Sequence, residues 1–231
     1  MWWFAALHAN LLLLYRRAMQ RSAATGTLLD AGCGTGGFLA RLARELPHPE
    51  AIGLDADATA CRWAAEKSRL PVCAGSIDAL PFLDAAFTAI VSADVLCHRG
   101  VDAASALRQF HRCLAAGGVL ILNLPAYRWL MSRHDAAVAN AHRYTRSEVV
   151  ELLRDAGFRP IFATYWNIVL FPLMVATRKL LPLGSGSDVK PQSAVVEAIC
   201  RAATALERGL LRTGMRFPFG GSVLAVAAKP E

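Results

Sequence analysis

Apolar and polar positions follow two rhythms along this chain. Some short runs are apolar throughout or at every second position, and between them apolar residues recur at helical spacing. The first rhythm predicts strands over Thr27–Cys33, Ala51–Leu54 (closing at Asp55), Val72–Ser76 and Thr88–Ala93. The second predicts helices over Gly36–Glu45, Ala58–Lys67 and Ala103–Leu114. Gly117-Gly118 predicts a turn into a fifth strand, Val119–Leu124. "TRSEVVELLRDAGF" has an S/T-x-x-E start and a glycine stop, the marks of a capped helix. Ile161–Trp166 and Ser222–Ala228 read as sixth and seventh strands, with a helix near Val195–Arg212 between them. Strands spaced by helices imply an α/β fold with a doubly wound, mostly parallel seven-stranded sheet.

The two ends of this pattern carry more than a plain sheet needs. "MWWFAALHANLLLLYRRAMQ" lacks a basic segment ahead of its apolar run, and His8 and Asn10 interrupt it. It is a poor signal peptide and too broken to span a membrane, so it reads as an amphipathic helix over the domain or touching lipid. The stretch before the last strand joins "NIVLFPLMVATRKLLP", a loop "LGSGSDVKPQ" and a helix. The expected organisation is one domain: a lid helix at 1–24, a cofactor-binding core at 25–167, a helical cap inserted at 168–220, and the last strand at 221–231.

The candidate chemistry starts at "LLDAGCGTGGFLARLA", a strand, a glycine loop and a helix. Such a loop lets backbone approach a ligand beyond the carboxyl ends of the strands. Gly32-x-Gly34-x-x-Gly37 formally satisfies the dinucleotide fingerprint, and Gly32-x-Gly34-x-Gly36 fits another cofactor equally well. Asp55, ending the second strand, is placed to accept both hydroxyls of a ribose. Asp30 would repel a pyrophosphate but would favour an ammonium or sulfonium, which points to S-adenosylmethionine.

Composition narrows the partners. The formal charge of +7 is scattered, with Arg16-Arg17 and Arg178-Lys179 as adjacent pairs and no basic stripe with interleaved aromatics, so no nucleic-acid partner is expected. Six cysteines without C-x-x-C spacing read as reduced thiols of a cytoplasmic protein, and no metal site is expected. A mean hydropathy of +0.34 suggests an apolar acceptor pocket, a membrane-surface face, or both.

"LLDAGCGTGGFLARLA", "AIGLDAD", "LPFLDAAFTAIVSADVLCH" and "LAAGGVLILNLPAY" resemble the successive motifs of class I S-adenosylmethionine-dependent methyltransferases. Within that class they are similar to the small-molecule branch typified by ubiquinone and menaquinone biosynthesis enzymes, from about Thr27 to Phe158. "RHDAAVANAHRYTRSEVVELLRDAGF" further resembles a subgroup with an "HD…RRYT" segment. The resemblance implies a Rossmann-like methyltransferase fold. It gives Asp30 and the backbone of Ala31, Gly32, Cys33 and Gly34 to the methionine end of the cofactor, Gly36 to the helix start, Asp55 to the ribose and Ala56 to the adenine edge. Ser76 stands where the family commonly has an acid, with Ile77 as an apolar wall, and Ser92 and Ala93 end the fourth strand near the transfer centre. Thr88 replaces a usual Asp.

Methyl transfer asks the protein to position an acceptor and, for a hydroxyl or protonated amine, to take a proton. His98, His134 and Asp135 follow the fourth and fifth strands and are the catalytic candidates. His142, Arg143 and Tyr144 read as loop anchors, and Tyr127 and Trp129 as pocket lining or packing. The expected activity is methyl transfer to a small, apolar or lipid-like acceptor, with peripheral membrane contact. The rivals are a nicotinamide-dependent oxidoreductase on the same glycines and a non-catalytic partner of the same fold.

Overall fold

The computed structural model describes residues 1–20, 26–177 and 193–231, and of Arg133 and His134 the backbone only. In chain order its elements are α1 (Trp2–Met19), β1 (Leu28–Ala31), α2 (Gly37–Glu45), β2 (Ala51–Asp55), α3 (Ala58–Ser68), β3 (Val72–Ala74) and β4 (Phe87–Ala93). There follow α4 (Ala103–Cys113), β5 (Leu114–Pro125), α5 (Arg133–Ala137), α6 (Arg146–Asp155), β6 (Arg159–Trp166), α7 (Phe171–Val175), α8 (Ala194–Arg212) and β7 (Ser222–Ala228). Arg178-Lys179 and the "LGSGSDVKPQ" loop lie outside the described residues.

The seven strands form one sheet in the order β3-β2-β1-β4-β5-β7-β6. The first five are parallel, and β7 runs antiparallel between β5 and β6. From β1 the chain winds out to β3, then returns to the other side of β1 and winds on through β4 and β5. With right-handed crossovers, this reversal puts helices on both faces and opens a crevice beyond the carboxyl ends of β1 and β4. Every residue of β1 and β7 is buried. Each Leu, Ile or Val side chain so buried contributes about 1.5–3 kcal/mol.

Local signals start the helices. Asp57 accepts from the Thr59 and Ala60 amides at the head of α3, and Asp102 does the same for Ala104 in α4. Thr145 and Glu148 complete the capping box of α6. One expectation fails: Gly117-Gly118 makes no turn ahead of a strand. β5 begins at Leu114, opposite Phe87, and resumes at Val119, opposite Ala89. The intervening residues bulge, and Gly117 takes a φ of 71° there.

The first helix is a member of a helical layer. Ala6, Leu7, Asn10, Leu11 and Leu14 form its buried face, packed against α2, α8 and β5. It runs alongside α2, with His8 over Gly37 at one end and Arg16 donating to the Glu45 carbonyl at the other. In its first turn Trp3 stacks on Trp166 at 4.7 Å. Across the same layer, Glu207 of α8 accepts the Asn167 and Ile168 amides just after β6.

Candidate active site

The loop from β1 into α2 is the centre of the crevice. Gly32, Gly34 and Gly36 have φ of 85°, 51° and 74°, the left-handed region that favours glycine. Their surroundings differ. An added Cβ at Gly32 would meet Val95 Cγ2 at 2.2 Å, and at Gly36 it would meet the Ala64 Cα at 2.6 Å. At Gly34 nothing lies within 4 Å. Gly32 and Gly36 are therefore required by packing, and Gly34 leaves open space for a ligand over the loop. Gly36 caps α2, as expected of the residue opening the helix.

Two carboxylates flank this loop. Asp30 is 3% exposed, and its Oδ2 is buried without a hydrogen-bond partner. Burial, reinforced by the charge of Asp55, raises its pKa to about 7. Asp55 Oδ2 accepts the Gly34 amide at 2.8 Å, and Oδ1 accepts the Asp57 amide at 3.0 Å. Helix capping thus falls to Asp57, while Asp55 stays at the loop. Gly32 and Cys33 both donate their amides to the Leu54 carbonyl, which fixes the loop against β2. Burial pushes the Cys33 thiol well above its usual range.

The remaining expected contacts separate. Ala56 is exposed beside Asp55, Ile77 is buried, and exposed Ser76 accepts the Asp78 amide at 3.2 Å. Ala31 is fully buried, and its carbonyl accepts the Ser92 hydroxyl at 2.8 Å. The Ser92 side chain is therefore a tie between β4 and β1, buried and engaged, rather than a ligand contact. Ala93 is half-buried at the strand end.

The residue that follows was missed. Asp94 has a φ of 57° and is half-buried, with its carboxyl turned inward, and its Oδ1 accepts from Asn123 Nδ2 at 2.9 Å. Asn123, wholly buried on β5, accepts in turn from Trp166 Nε1 at 2.6 Å. Burial raises the Asp94 pKa to about 7, against the lowering effects of Asn123 and Arg143. The signal was available: an acid directly after an apolar strand, the same signal that singled out Asp55.

Asp135 sits inside the loop that follows β5. It is wholly buried, ion-paired to Arg143 at 2.8 Å, and accepts from Ser132 and Asn140. Its oxygens hold the loop after β5, and this corrects its catalytic assignment. Arg143 also donates to the Ala126 carbonyl and Tyr144 to the Leu96 carbonyl, so both anchor the loop as expected. The side chain of His134 lies outside the described atoms. His98 is half-buried just past β4, where burial lowers its pKa against the opposing charge of Asp55. Tyr127, with a φ of 59°, stacks on Tyr165 at 5.0 Å, and Trp129, Phe171 and Phe219 extend the cluster beside it.

This arrangement has relatives. A family profile described as a methyltransferase domain matches residues 29–122. The chain is 36% identical over 142 residues to a malonyl-[acyl-carrier protein] O-methyltransferase of Dechloromonas aromatica, covering 58% of this chain and 52% of that protein. It is 30% identical over 169 residues to a demethylmenaquinone methyltransferase of Roseiflexus sp. strain RS-1, covering 71% of this chain and 69% of that one. The chain belongs to the class I S-adenosylmethionine-dependent methyltransferases. It spans about half the length of the first of these relatives. The fold of this methyltransferase is also that of a geranyl diphosphate C-methyltransferase from Streptomyces coelicolor A3(2), solved with S-adenosyl-L-homocysteine: TM-score 0.58, 18% identity, 93% of this chain and 76% of that one.

The family's cofactor fits the residues present in the methyltransferase. The orphaned Asp30 oxygen suits a cation, and the open space at Gly34 suits backbone approach. Among the described residues no group of His, Cys, Asp and Glu could hold a metal, and no helix is long and apolar enough to cross a membrane.

Proposed function

We propose that this methyltransferase holds S-adenosylmethionine on the loop from Asp30 to Gly36, with Asp55 toward the ribose, Ala56, Ser76 and Ile77 along the adenine and Ala93 near the transfer centre. Bound there, the cofactor supplies an electrophilic methyl group. The chain's own task is to orient the acceptor, exclude water and accept a proton. His98, kept neutral by burial, is the proposed base. The acceptor is a small apolar or lipid-like molecule taken up beside Tyr127, Trp129, Phe171 and Phe219.

The single observation that carries the cofactor assignment is the buried, unpartnered Asp30 carboxylate at the head of the loop. It favours a cationic ligand over a dinucleotide pyrophosphate. Exposed Val169, Leu173 and Phe219 support an acceptor drawn from a lipid surface. The deciding experiment is calorimetric titration with S-adenosylmethionine, S-adenosylhomocysteine and NADH, on the parent and on Asp55→Ala. Binding of the first two, weakened by the substitution, is expected. NADH binding without the others would overturn the assignment.

A further inference from the structure

Asp94 stands against the glycine loop with a built support behind it. The turn it occupies is fixed to the loop from both sides, by the Ser92 hydroxyl on the Ala31 carbonyl (2.8 Å) and by Val95 filling the place of a Gly32 side chain. Its own backbone is in the left-handed region, an unfavourable conformation for a residue with a side chain, held by its amide on the Asn123 carbonyl at 2.8 Å. The carboxylate is fixed at one oxygen only. Oδ1 takes the Asn123 amide, while Oδ2 makes no hydrogen bond with the described residues. Asn123 is set by the Trp166 indole, and Trp166 by the stacked ring of Trp3. Three residues from three separate elements, Asn123, Trp166 and Trp3, thus hold one acid at the end of β4.

That support has no evident use in folding alone, because an uncharged side chain could close the same turn. Its product is a carboxylate with a defined direction and one oxygen to spare. We propose that Asp94 is the charge-selective contact of the cofactor site, opposing the positive sulfonium of S-adenosylmethionine and making no such interaction with neutral S-adenosylhomocysteine. The inference rests on the cofactor lying on the glycine loop. Methyl transfer converts the sulfonium to a thioether as the acceptor gains the methyl group and loses a proton to base. The attraction at Asp94 then vanishes, which favours departure of the product over re-entry of spent cofactor.

The test is calorimetric titration of both ligands at about pH 8, where both Asp30 and Asp94 are ionised. Asp94→Asn, nearly isosteric and still able to accept from Asn123, should weaken S-adenosylmethionine about tenfold and leave S-adenosylhomocysteine within about twofold. Asp94→Gly, which relieves the left-handed backbone, carries the same test if the asparagine variant fails to fold. Equal weakening of both ligands, or of neither, overturns the proposal. Asp55→Ala distinguishes the underlying placement: if it leaves both affinities intact, the cofactor is not on the loop, whatever Asp94 does.

Discussion

Asp30 is a carboxylate placed where water cannot stabilise its charge. In the unfolded chain it titrates near about 3.9, whereas in the fold burial raises it to about 7. The folded state then binds the proton more tightly. The cost of ionising the buried acid grows as pH rises above the unfolded value and is complete above about 7. Ligand-free Asp30→Asn should therefore exceed the parent in stability at about pH 8 by on the order of 1–3 kcal/mol, and not at about pH 4, by urea denaturation. The same variant should bind S-adenosylmethionine more weakly; unchanged affinity would remove Asp30 from the site. Asp135 has the opposite sign. Burial works to raise its pKa, but hydrogen bonding and the charge of Arg143 hold it below the usual carboxylate range. Its contribution is present at neutral pH and lost as pH falls through that lowered value. Asp135→Asn should cost about 3–5 kcal/mol by leaving Arg143 buried and unpaired; a loss below about 1 kcal/mol would mean the pair is not structural. The sequence singles out Asp135 for its place after the fifth strand, whereas its ion pair is made with Arg143, eight residues later. No pattern in the chain marks that pairing, because it depends on how the loop returns.

At the scale of elements, the run from β1 to α2 was legible because three signals coincide: an apolar strand, glycines, then helical periodicity. The bounds of β7 agree with the sequence reading residue for residue, Ser222–Ala228. What the loop does with each glycine was not legible, since Val95 and Ala64 approach from other elements. Two substitutions separate those roles. Gly36→Ala should destabilise the protein by about 1–3 kcal/mol, because the new methyl meets α3 backbone at a positive φ. Gly34→Ala should cost only about 1 kcal/mol of backbone strain while markedly weakening S-adenosylhomocysteine. Thermal denaturation and titration side by side would check this, and equal effects of the two on both readings would contradict it. At Asp94 the acid after a strand was legible, but its support was not. Its importance comes from Asn123, 29 positions away, and from Trp166 beyond that.

At the scale of the molecule, the apolar surplus of the sequence is spent in two places. Part of it is α1, whose Leu7, Leu11, Leu12 and Leu14 are each at most 3% exposed. Deleting residues 1–19 would bare the surfaces of α2, α8 and β5 that this face covers, and the Trp166 ring, so the truncated chain should aggregate during size-exclusion chromatography. A monomeric, cofactor-binding product would show the helix to be a dispensable cover. Another part lies at the surface around α7 and α8, including Leu173 and Leu206 at 59% and 68% exposure. The sheet order has another consequence, for synthesis. Because β7 sits between β5 and β6 yet comes last of the three in the chain, the two earlier strands emerge from the ribosome with facing, unsatisfied edges. No nascent chain can align Asn123 with Trp166 through the finished sheet until Ser222–Ala228 has been translated. A stop codon ahead of Ser222 would thus yield a polypeptide that retains the whole glycine loop and still has no assembled crevice, a substrate for chaperones and proteases rather than a partial enzyme.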